Sequence, residues 1–362
     1  MQNKVVIIDW GILVHKAIFS LKFNPTIPAT FTGMNMAIGW LYRLDIDPDD
    51  LILVAVDSRN CWRKDFETAY KGDRKQKRQD SGIDFNKWYG EFERLHQQLD
   101  AGLDWHFIKL ERLEADDIMA VACRYYHDRP VVLVTHDADL EQMWEYPNVR
   151  IFSTYTKKWK VKPENFDVIR LQSEKIYKET TDNMVEQILT EQDFDIRRKC
   201  VDLIKLPDFV EDAVTKALDN VKPKPSDYTC IPFKSLWDRF LGLYNDKSKV
   251  ISYEEQVAKE EALIAREKRK KLEAKEKIKR KELKLKTKAE KEQAKLELAQ
   301  IKEEKLFLKA QGDNEAALKQ AKKLAKREAI AKIKAGLTKK KETQNVEICQ
   351  SSITEGHVEV KG

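Results

Sequence analysis

Three short apolar runs rich in β-branched residues stand out in the first 140 residues of the chain. They are KVVIID at 4–9, LILVAVD at 51–57 and PVVLVTHD at 130–137. Apolar runs of this length are typical of strands that are buried on both faces, as in a parallel sheet. Helical periodicity is found at 34–44, 85–99, 114–126 and 138–144. The alternation predicts an α/β fold in which helices flank a mostly parallel central sheet.

The second half of the chain changes to helical patterns and then to charge. Apolar spacing is helical from about 165 to 220, and the amphipathic segment at 233–244 is expected to dock on the same body. Beyond Tyr253, frequent Glu–Lys pairs four residues apart predict a long charged helix, and a second helix is expected after the break at 311–318. We therefore predict an N-terminal α/β domain at 1–165, a helical C-terminal part at 166–250, a Lys/Glu-rich helical tail at 251–341 and a disordered end at 342–362.

Charge is distributed unevenly along the chain. Residues 251–344 contain 29 Lys and Arg against 17 Asp and Glu, whereas residues 1–250 contain 37 against 41. The net charge of +6 therefore belongs to the tail, and the preceding part is mildly acidic.

The five cysteines are scattered and form no CxxC pair, so neither a zinc site nor a disulfide framework is expected, and a cytoplasmic location is predicted. The sequence contains neither the apolar core of a signal peptide nor an apolar run long enough to span a membrane.

Acidic residues follow all three predicted strands and open the helix at 114–126. Because the carboxyl ends of parallel strands form one edge, these side chains are expected to converge there. Any one alone is better explained as a turn residue or helix cap, but together they would repel strongly. Mg²⁺ or Mn²⁺ would offset that repulsion, and two such ions suit phosphodiester hydrolysis. The residues are Asp9, Asp57, Glu114, Asp116, Asp117, Asp137 and Asp139.

A basic segment, NCWRKDFETAYKGDRKQKR at 60–78, lies between the second strand and the acidic helix. A solvated helix face would explain it, but beside a carboxylate cluster it is more typical of a clamp for phosphates. Its aromatic residues Trp62, Phe66 and Tyr70 suit stacking on bases or packing in the core, and the core is favoured for them. The candidate nucleic-acid contacts are Arg63, Lys64, Tyr70, Lys71, Arg74 and Lys75.

Four motifs in this order resemble the metal-dependent 5′ nuclease (flap endonuclease-like, PIN-like) family, in particular its phage ribonuclease H branch. They are VVIIDW, AVDSRNCWRKDFETAYKGDR, LEADDIMA and VTHDADLEQM, and the likeness covers about residues 1–246. The resemblance implies a 5′→3′ exonuclease and flap endonuclease that hydrolyses DNA or RNA primers in DNA replication. Its expected partners are DNA and RNA–DNA hybrids at flap or primer junctions, in the host cytoplasm if a phage encodes the chain.

The resemblance also implies individual roles. Asp9, Asp57, Asp116 and Asp137 match the ligands of a first Mg²⁺ or Mn²⁺ ion, and Asp139 matches a ligand of a second. Glu114 matches an acid that is shared between the sites or holds bound water. Lys71 and Arg74 match the basic pair that contacts the scissile phosphate. Asp117 matches either an outer-sphere group or a helix-start residue.

The chain departs from the family pattern at residues 175–195. The family's Gly-Asp pair is replaced by Glu179 and Thr180, and only Asp182 and Asn183 of its second pair remain. Asp182 is read either as a ligand of a weakened second ion or as a helix cap, and Glu179 is a candidate substitute. The helix-turn-helix element that grips duplex DNA is expected to be deleted or vestigial.

Two other functions stay open at this point. One is a branched-DNA-binding protein that derives from such a nuclease and has lost catalysis. The other is an RNA-cleaving PIN-type nuclease, although the segment between Asp57 and Glu114 is longer than such domains usually carry. For the tail, a solvated spacer is the default, and polyanion binding or docking to replication proteins is the alternative.

Overall fold

The computed structural model describes residues 3–68, 70–72, 74–177, 190–310, 316 and 318–334. A six-stranded sheet has the order β3-β2-β1-β4-β5-β6, and only β6 runs antiparallel to its neighbour. The strands are β1 Val5–Asp9, β2 Leu51–Val56, β3 His106–Lys109, β4 Val131–Thr135, β5 Val149–Ser153 and β6 Lys158–Lys160.

Helices cover both faces of this sheet, and further helices follow it. The first five are α1 Trp10–Ser20, α2 Ala29–Leu41, α3 Arg74–Asp80, α4 Phe85–Gly102 and α5 Ala115–Tyr125. The others are α6 Val168–Ile176, α7 Glu191–Val201, α8 Asp208–Asp219, α9 Trp237–Leu241 and α10 Tyr253–Ala310. Residues 318–334 are also helical, and short 3₁₀ turns occur at Trp62–Asp65, Asp139–Glu145, Tyr228–Cys230 and Lys234–Leu236.

The central strand β1 shows why an uninterrupted apolar run was needed. Its side chains alternate between two cores, so that Val5 and Ile7 pack in one and Val6 and Ile8 in the other. The first core includes residues of α5 and α8, and the second includes residues of α1, α2, α4 and α9. With polar residues at alternate positions, β1 would bury unpaired polar groups on one face.

The three predicted strands are confirmed as β1, β2 and β4, and the predicted α/β class is correct. The helices predicted at 34–44, 85–99 and 114–126 correspond to α2, α4 and α5, and the segment predicted at 138–144 is a 3₁₀ turn. The strands β3, β5 and β6 and the helix α1 were not predicted.

The chain divides into two compact units, Met1–Glu260 and Glu261–Gly362. The first turn of α10 belongs to the first unit, because the side-chain amide of Gln256 accepts from Trp159 N at 2.9 Å and donates to Trp159 O at 2.6 Å. In the second unit, Lys305 Nζ lies 2.9 Å from Glu328 Oε2 and joins α10 to the helix at 318–334. In the part of the chain that the structure describes, no helix is long and apolar enough to cross a membrane.

Candidate functional site

Three aspartates meet at the carboxyl edge of the sheet because β2, β1 and β4 are adjacent and parallel. Asp9 ends β1 and caps α1, where its Oδ1 accepts from Ile12 N at 3.0 Å. Asp57 follows β2, and its Oδ1 accepts from Ala115 N at 2.8 Å. Asp137 lies two residues beyond β4, and its Oδ1 accepts from Asp139 N at 2.8 Å.

Thr135 at the end of β4 connects the first and last of these aspartates. Its hydroxyl donates to Asp9 Oδ2 at 3.0 Å and accepts from Asp137 N at 3.0 Å. The Thr135 side chain is fully buried, so its hydroxyl holds one Asp9 carboxylate oxygen in place from inside the protein. Thr135 was missed by the sequence reasoning, and the only signal was its position directly before the strand-end residues.

The carboxylates are close enough to raise one another's pKa. Burial raises the pKa of Asp9 to about 7, and repulsion from Asp57 and Asp137 contributes. Asp116, the second residue of α5, has a pKa well above its usual range because of burial and then repulsion from Asp137, Asp9 and Asp57. Burial likewise raises the pKa values of Asp57 and Asp137. The structure thus brings together all four residues predicted for the first metal site.

Gly11 leaves room for two of these carboxylates in the first turn of α1. A Cβ atom at this position would lie 2.6 Å from Asp57 Oδ2 and 3.4 Å from Asp9 Oδ1. The first distance is too short for any real contact, so a larger residue would displace Asp57. The glycine directly after Asp9 and Trp10 is therefore a positioning residue of the site, which the sequence reasoning did not identify.

Lys71 and Glu114 form the basic–acidic contact of the site. Lys71 Nζ lies 2.6 Å from Glu114 Oε1, while Glu114 Oε2 accepts from Arg63 at 2.9 Å and from the Tyr70 hydroxyl at 3.1 Å. Burial alone would raise the pKa of Glu114, but Lys71 and Arg63 outweigh it and lower the pKa to about 2. Burial would lower the pKa of Lys71, but Tyr70, Glu114 and Asp116 raise it well above its usual value. Both groups therefore stay charged.

Two candidate nucleic-acid contacts are buried, which corrects the prediction for them. Arg63 is 1% exposed and pairs with Asp117 Oδ1 at 2.7 Å, and its Nε donates to Cys200 O at 3.0 Å. Tyr70 is 5% exposed because its ring packs in the core and its hydroxyl faces Glu114. Neither side chain is placed to contact nucleic acid, and the core interpretation of Tyr70 is the correct one.

Asp117 belongs to the structural side of this cluster. It is fully buried, forms a capping box with Glu114 at the start of α5, and accepts from Trp62 Nε1 at 3.0 Å. Of the two interpretations of Asp117, the helix-start residue is the one the structure supports. Trp62 is buried as expected, whereas Phe66 is exposed.

The remaining basic candidates are exposed, and two of them begin the helix α3. Lys64 precedes it on the 3₁₀ turn, and Arg74 and Lys75 are its first residues. Arg74 lies near enough to Asp57 to lower that carboxyl's pKa against the effect of burial. Each residue of α3 remains accessible to solvent, so the helix presents its positive charge beside the carboxylates.

The second-site candidates have different surroundings. Asp139 forms an ion pair with Lys175 of α6, a partner 36 residues away that no local motif indicated. Asp182 and Glu179 lie outside the described residues. Among the residues that are described, no group of three or more His, Cys, Asp or Glu side chains is already arranged to hold a metal ion. The metal sites therefore stay a prediction.

Comparison with known proteins gives the family. The family model for the 5′-3′ exonuclease N-terminal resolvase-like domain matches residues 4–188, just over half of the chain. Ribonuclease H of Enterobacteria phage T4 is 31% identical over 115 residues, which span 30% of this chain and 37% of the phage protein. That match thus covers well under two thirds of the relative.

Among solved structures, the chain is similar to the bacteriophage T5 5′-exonuclease with divalent metal ions (zinc) bound, with 15% identity and a TM-score of 0.45. The match covers 61% of this chain and all of that one. A T5 flap endonuclease pseudo-enzyme–product complex with DNA and metal ions has 16% identity and a TM-score of 0.39, over 68% of this chain and 90% of that one. On the strength of the family match over residues 4–188, the chain belongs to the 5′ nuclease family, as a protein with a 5′-3′ exonuclease N-terminal domain.

Proposed function

We propose that the protein is a metal-dependent 5′→3′ exonuclease and flap endonuclease of the phage ribonuclease H type, acting on DNA and RNA primers in replication. The observation that carries this proposal is the set of four aspartates at the sheet edge, Asp9, Asp57, Asp116 and Asp137, whose pKa values are raised. Burial is the main cause of these raised pKa values and repulsion between carboxylates adds to it, and keeping such groups ionised in a folded protein is costly unless cations offset the charge.

The chemistry of these donors suits Mg²⁺ or Mn²⁺, although the described side chains are not yet arranged around an ion. Carboxylate oxygens are the ligands these ions prefer, and the four aspartates would hold a first ion. Asp139 and Asp182 would contribute to a second, more weakly held ion, with Glu114 shared or holding water. When bound, these ions would supply activated water and stabilise the charge that develops during phosphodiester hydrolysis.

The chain's own cations would position the substrate. The Lys71 ammonium is fixed by Glu114 at the edge of the aspartate cluster, with one oxygen of Glu114 tied to Arg63. From there it would contact the scissile phosphate and stabilise the negative charge that grows on it. Arg74, Lys75 and Lys64 would hold the flanking phosphates from the exposed side. The T4 relative is a ribonuclease H, which favours RNA primers as part of the substrate range.

A cleavage assay on 5′-flap and RNA-primed duplexes tests the proposal. Wild type should cut both with Mg²⁺ or Mn²⁺ and neither with EDTA, whereas Asp116→Asn should lose activity by about 1,000-fold or more. Asp128→Asn, which changes an exposed aspartate away from the site, is the matched control and should cut like wild type. If wild type binds flapped DNA but cleaves neither substrate, the branched-DNA-binding alternative replaces the nuclease.

A further inference from the structure

The central part of the long helix α10, residues 266–288, concentrates positive charge on an exposed stretch of helix. Residues 266–288 contain 13 Lys and Arg against four Asp and Glu. Every residue from 261 to 286 is exposed, so the side chains of this segment are not used to build a core. Residues 1–250 carry more acids than bases, so the excess positive charge of the protein lies in the tail, and residues 266–288 carry the largest share of it.

Much of this charge lies along one side of the helix. At 100° per residue, lysines spaced by seven, four, three and four residues fall in one stripe. These are Lys270, Lys277, Lys281, Lys284 and Lys288, and Arg266 lies among them while Arg269 and Arg280 lie along the edge of the stripe. Glu273 also lies on this side and pairs with Arg269 at 3.1 Å. We call this set the basic stripe.

Five other lysines of the same segment lie on the opposite side of the helix. They are Lys268, Lys271, Lys275, Lys279 and Lys286. The apolar residues do not form a continuous face, because Leu272 and Leu283 lie on one flank and Ile278 and Leu285 on the other. A helix that lies on a lipid surface needs one broad apolar face, so this segment does not suit a membrane.

The dimensions of the basic stripe suit duplex nucleic acid. A helix of 23 residues is about 34 Å long, which is close to one turn of B-form DNA. Duplex DNA carries about one negative charge per 1.7 Å of its axis, so a straight rod with regularly spaced cations can neutralise several phosphates at once. An acidic protein surface has no such regular spacing to match.

We propose that the basic stripe of α10 binds the phosphate backbone of duplex nucleic acid without sequence preference. The inference rests on the proposed function, because it gives the acidic nuclease unit a means of holding the duplex next to a flap or primer. Such a grip would compensate for the duplex-binding element that the sequence at 175–195 predicts to be deleted or vestigial.

Two variants of the full chain with equal net charge test this proposal. In the stripe variant Lys270, Lys277, Lys281, Lys284 and Lys288 become Gln, and in the opposite-face variant Lys268, Lys271, Lys275, Lys279 and Lys286 become Gln. Glutamine preserves helix propensity, which far-UV circular dichroism checks. Binding to a blunt, unflapped duplex of about two helical turns is measured by fluorescence anisotropy in EDTA between about 50 and 200 mM salt.

The stripe variant should bind duplex at least about tenfold more weakly than wild type. The slope of log K against log salt concentration should become less steep by about 0.9 for each phosphate that the variant no longer neutralises. The opposite-face variant should stay within about threefold of wild type, because the lysines that face the duplex are unchanged. Equal binding by all three proteins, or equal weakening in both variants, overturns the proposal. A stripe variant that binds anionic vesicles more weakly but binds duplex like wild type also overturns it.

The cleavage assay separates this outcome from that of the proposed function. Because the binding measurement contains EDTA and an unflapped duplex, it does not depend on catalysis. A wild type that binds duplex through the basic stripe but cleaves no substrate contradicts the nuclease proposal alone. A wild type that cleaves while the stripe variant binds normally contradicts the tail inference alone.

Discussion

Lys71 Nζ lies 2.6 Å from Oε1 of Glu114, and this ion pair joins the basic segment to the start of α5. Lys71 has a left-handed backbone with φ of 58°, an uncommon conformation for a residue other than glycine. Its side chain is 18% exposed, so the ammonium is held in place yet reachable from solvent. A cation fixed in this way is suited to meet a phosphate without the full entropy cost of ordering a free lysine.

Replacing Lys71 by Ala should lower the rate of flap cleavage by about 100- to 1,000-fold, because the charge that develops on the phosphate loses a fixed cation. The fold should persist, since Glu114 keeps its contact with Arg63. Single-turnover cleavage measures the rate. Lys87→Ala, on the exposed side of α4, is the control and should behave like wild type. If Lys71→Ala and Lys87→Ala cleave the flap at the same rate, Lys71 does not take part in catalysis.

Replacing Arg63 by Met should destabilise the protein by about 3–5 kcal/mol, because the buried Asp117 and Glu114 lose their shared partner. The neighbouring Lys64 is exposed, so Lys64→Met should change the free energy of unfolding by no more than about 0.5 kcal/mol. Urea unfolding compares the two variants. A stability loss no larger for Arg63 than for Lys64 would contradict the structural role given to Arg63.

His15 should make stability depend on pH. Burial lowers its pKa to about 4, and the nearby Arg78 and Arg74 contribute. In the unfolded chain His15 takes up a proton near its usual pKa of 6.5, whereas in the folded protein it stays neutral until the pH approaches 4. The folded state is therefore fully stabilised above pH 6.5, and its free energy of unfolding falls as the pH drops towards 4. The loss should reach at most about 3 kcal/mol.

His15→Gln should remove this pH-dependent part of the unfolding free energy, whereas the same change at the exposed His127 should leave it. Unfolding in urea at several pH values between about 4 and 7 measures both. Parallel curves for wild type and His15→Gln would show that burial and the nearby Arg78 and Arg74 do not keep His15 neutral in the folded protein.

The end of the first unit can be located by truncation. A chain that stops at Glu260 should unfold like the first unit of the full protein, because it retains Gln256 and Trp159 in contact. A chain that stops at Val250, the predicted domain boundary, also loses the bond from Trp159 Nε1 to Ile251 O and should be less stable by about 2 kcal/mol or more. If the two truncated chains unfold at the same urea concentration, the first folded unit ends at Val250 and residues 251–260 do not stabilise it.

Local patterns predicted the central elements and failed at the periphery. The strands β1, β2 and β4 are buried along nearly their whole length, so their sequences are uniformly apolar. The edge strands β3, with the sequence HFIK, and β6, with KWK, are short and partly exposed, and their mixed composition gives no strand signal. The interior strand β5, with the sequence VRIFS, is buried except at Arg150, and this charged residue interrupts its apolar run. An uninterrupted apolar run is therefore what made a strand recognisable.

The candidate site shows a similar division. The aspartates at strand ends were found because chain order and sheet topology fix where they lie. Arg63 was misassigned because a buried and an exposed arginine look alike in a sequence, and its partner Asp117 lies 54 residues away. The same holds for Lys175, whose contact with Asp139 depends on how α6 packs against the 3₁₀ turn at Asp139–Glu145. Long-range pairing of charges is set by tertiary structure alone.

The location of a bound cation shows whether the four aspartates at the sheet edge hold a metal ion. In crystals of the wild-type protein soaked in Mn²⁺, anomalous scattering should show a peak among the carboxylates of Asp9, Asp57, Asp116 and Asp137, and the peak should be absent in Asp116→Asn. If the crystals show no manganese at that edge of the sheet, or if Asp116→Asn binds it as well as wild type, these aspartates do not form a metal site.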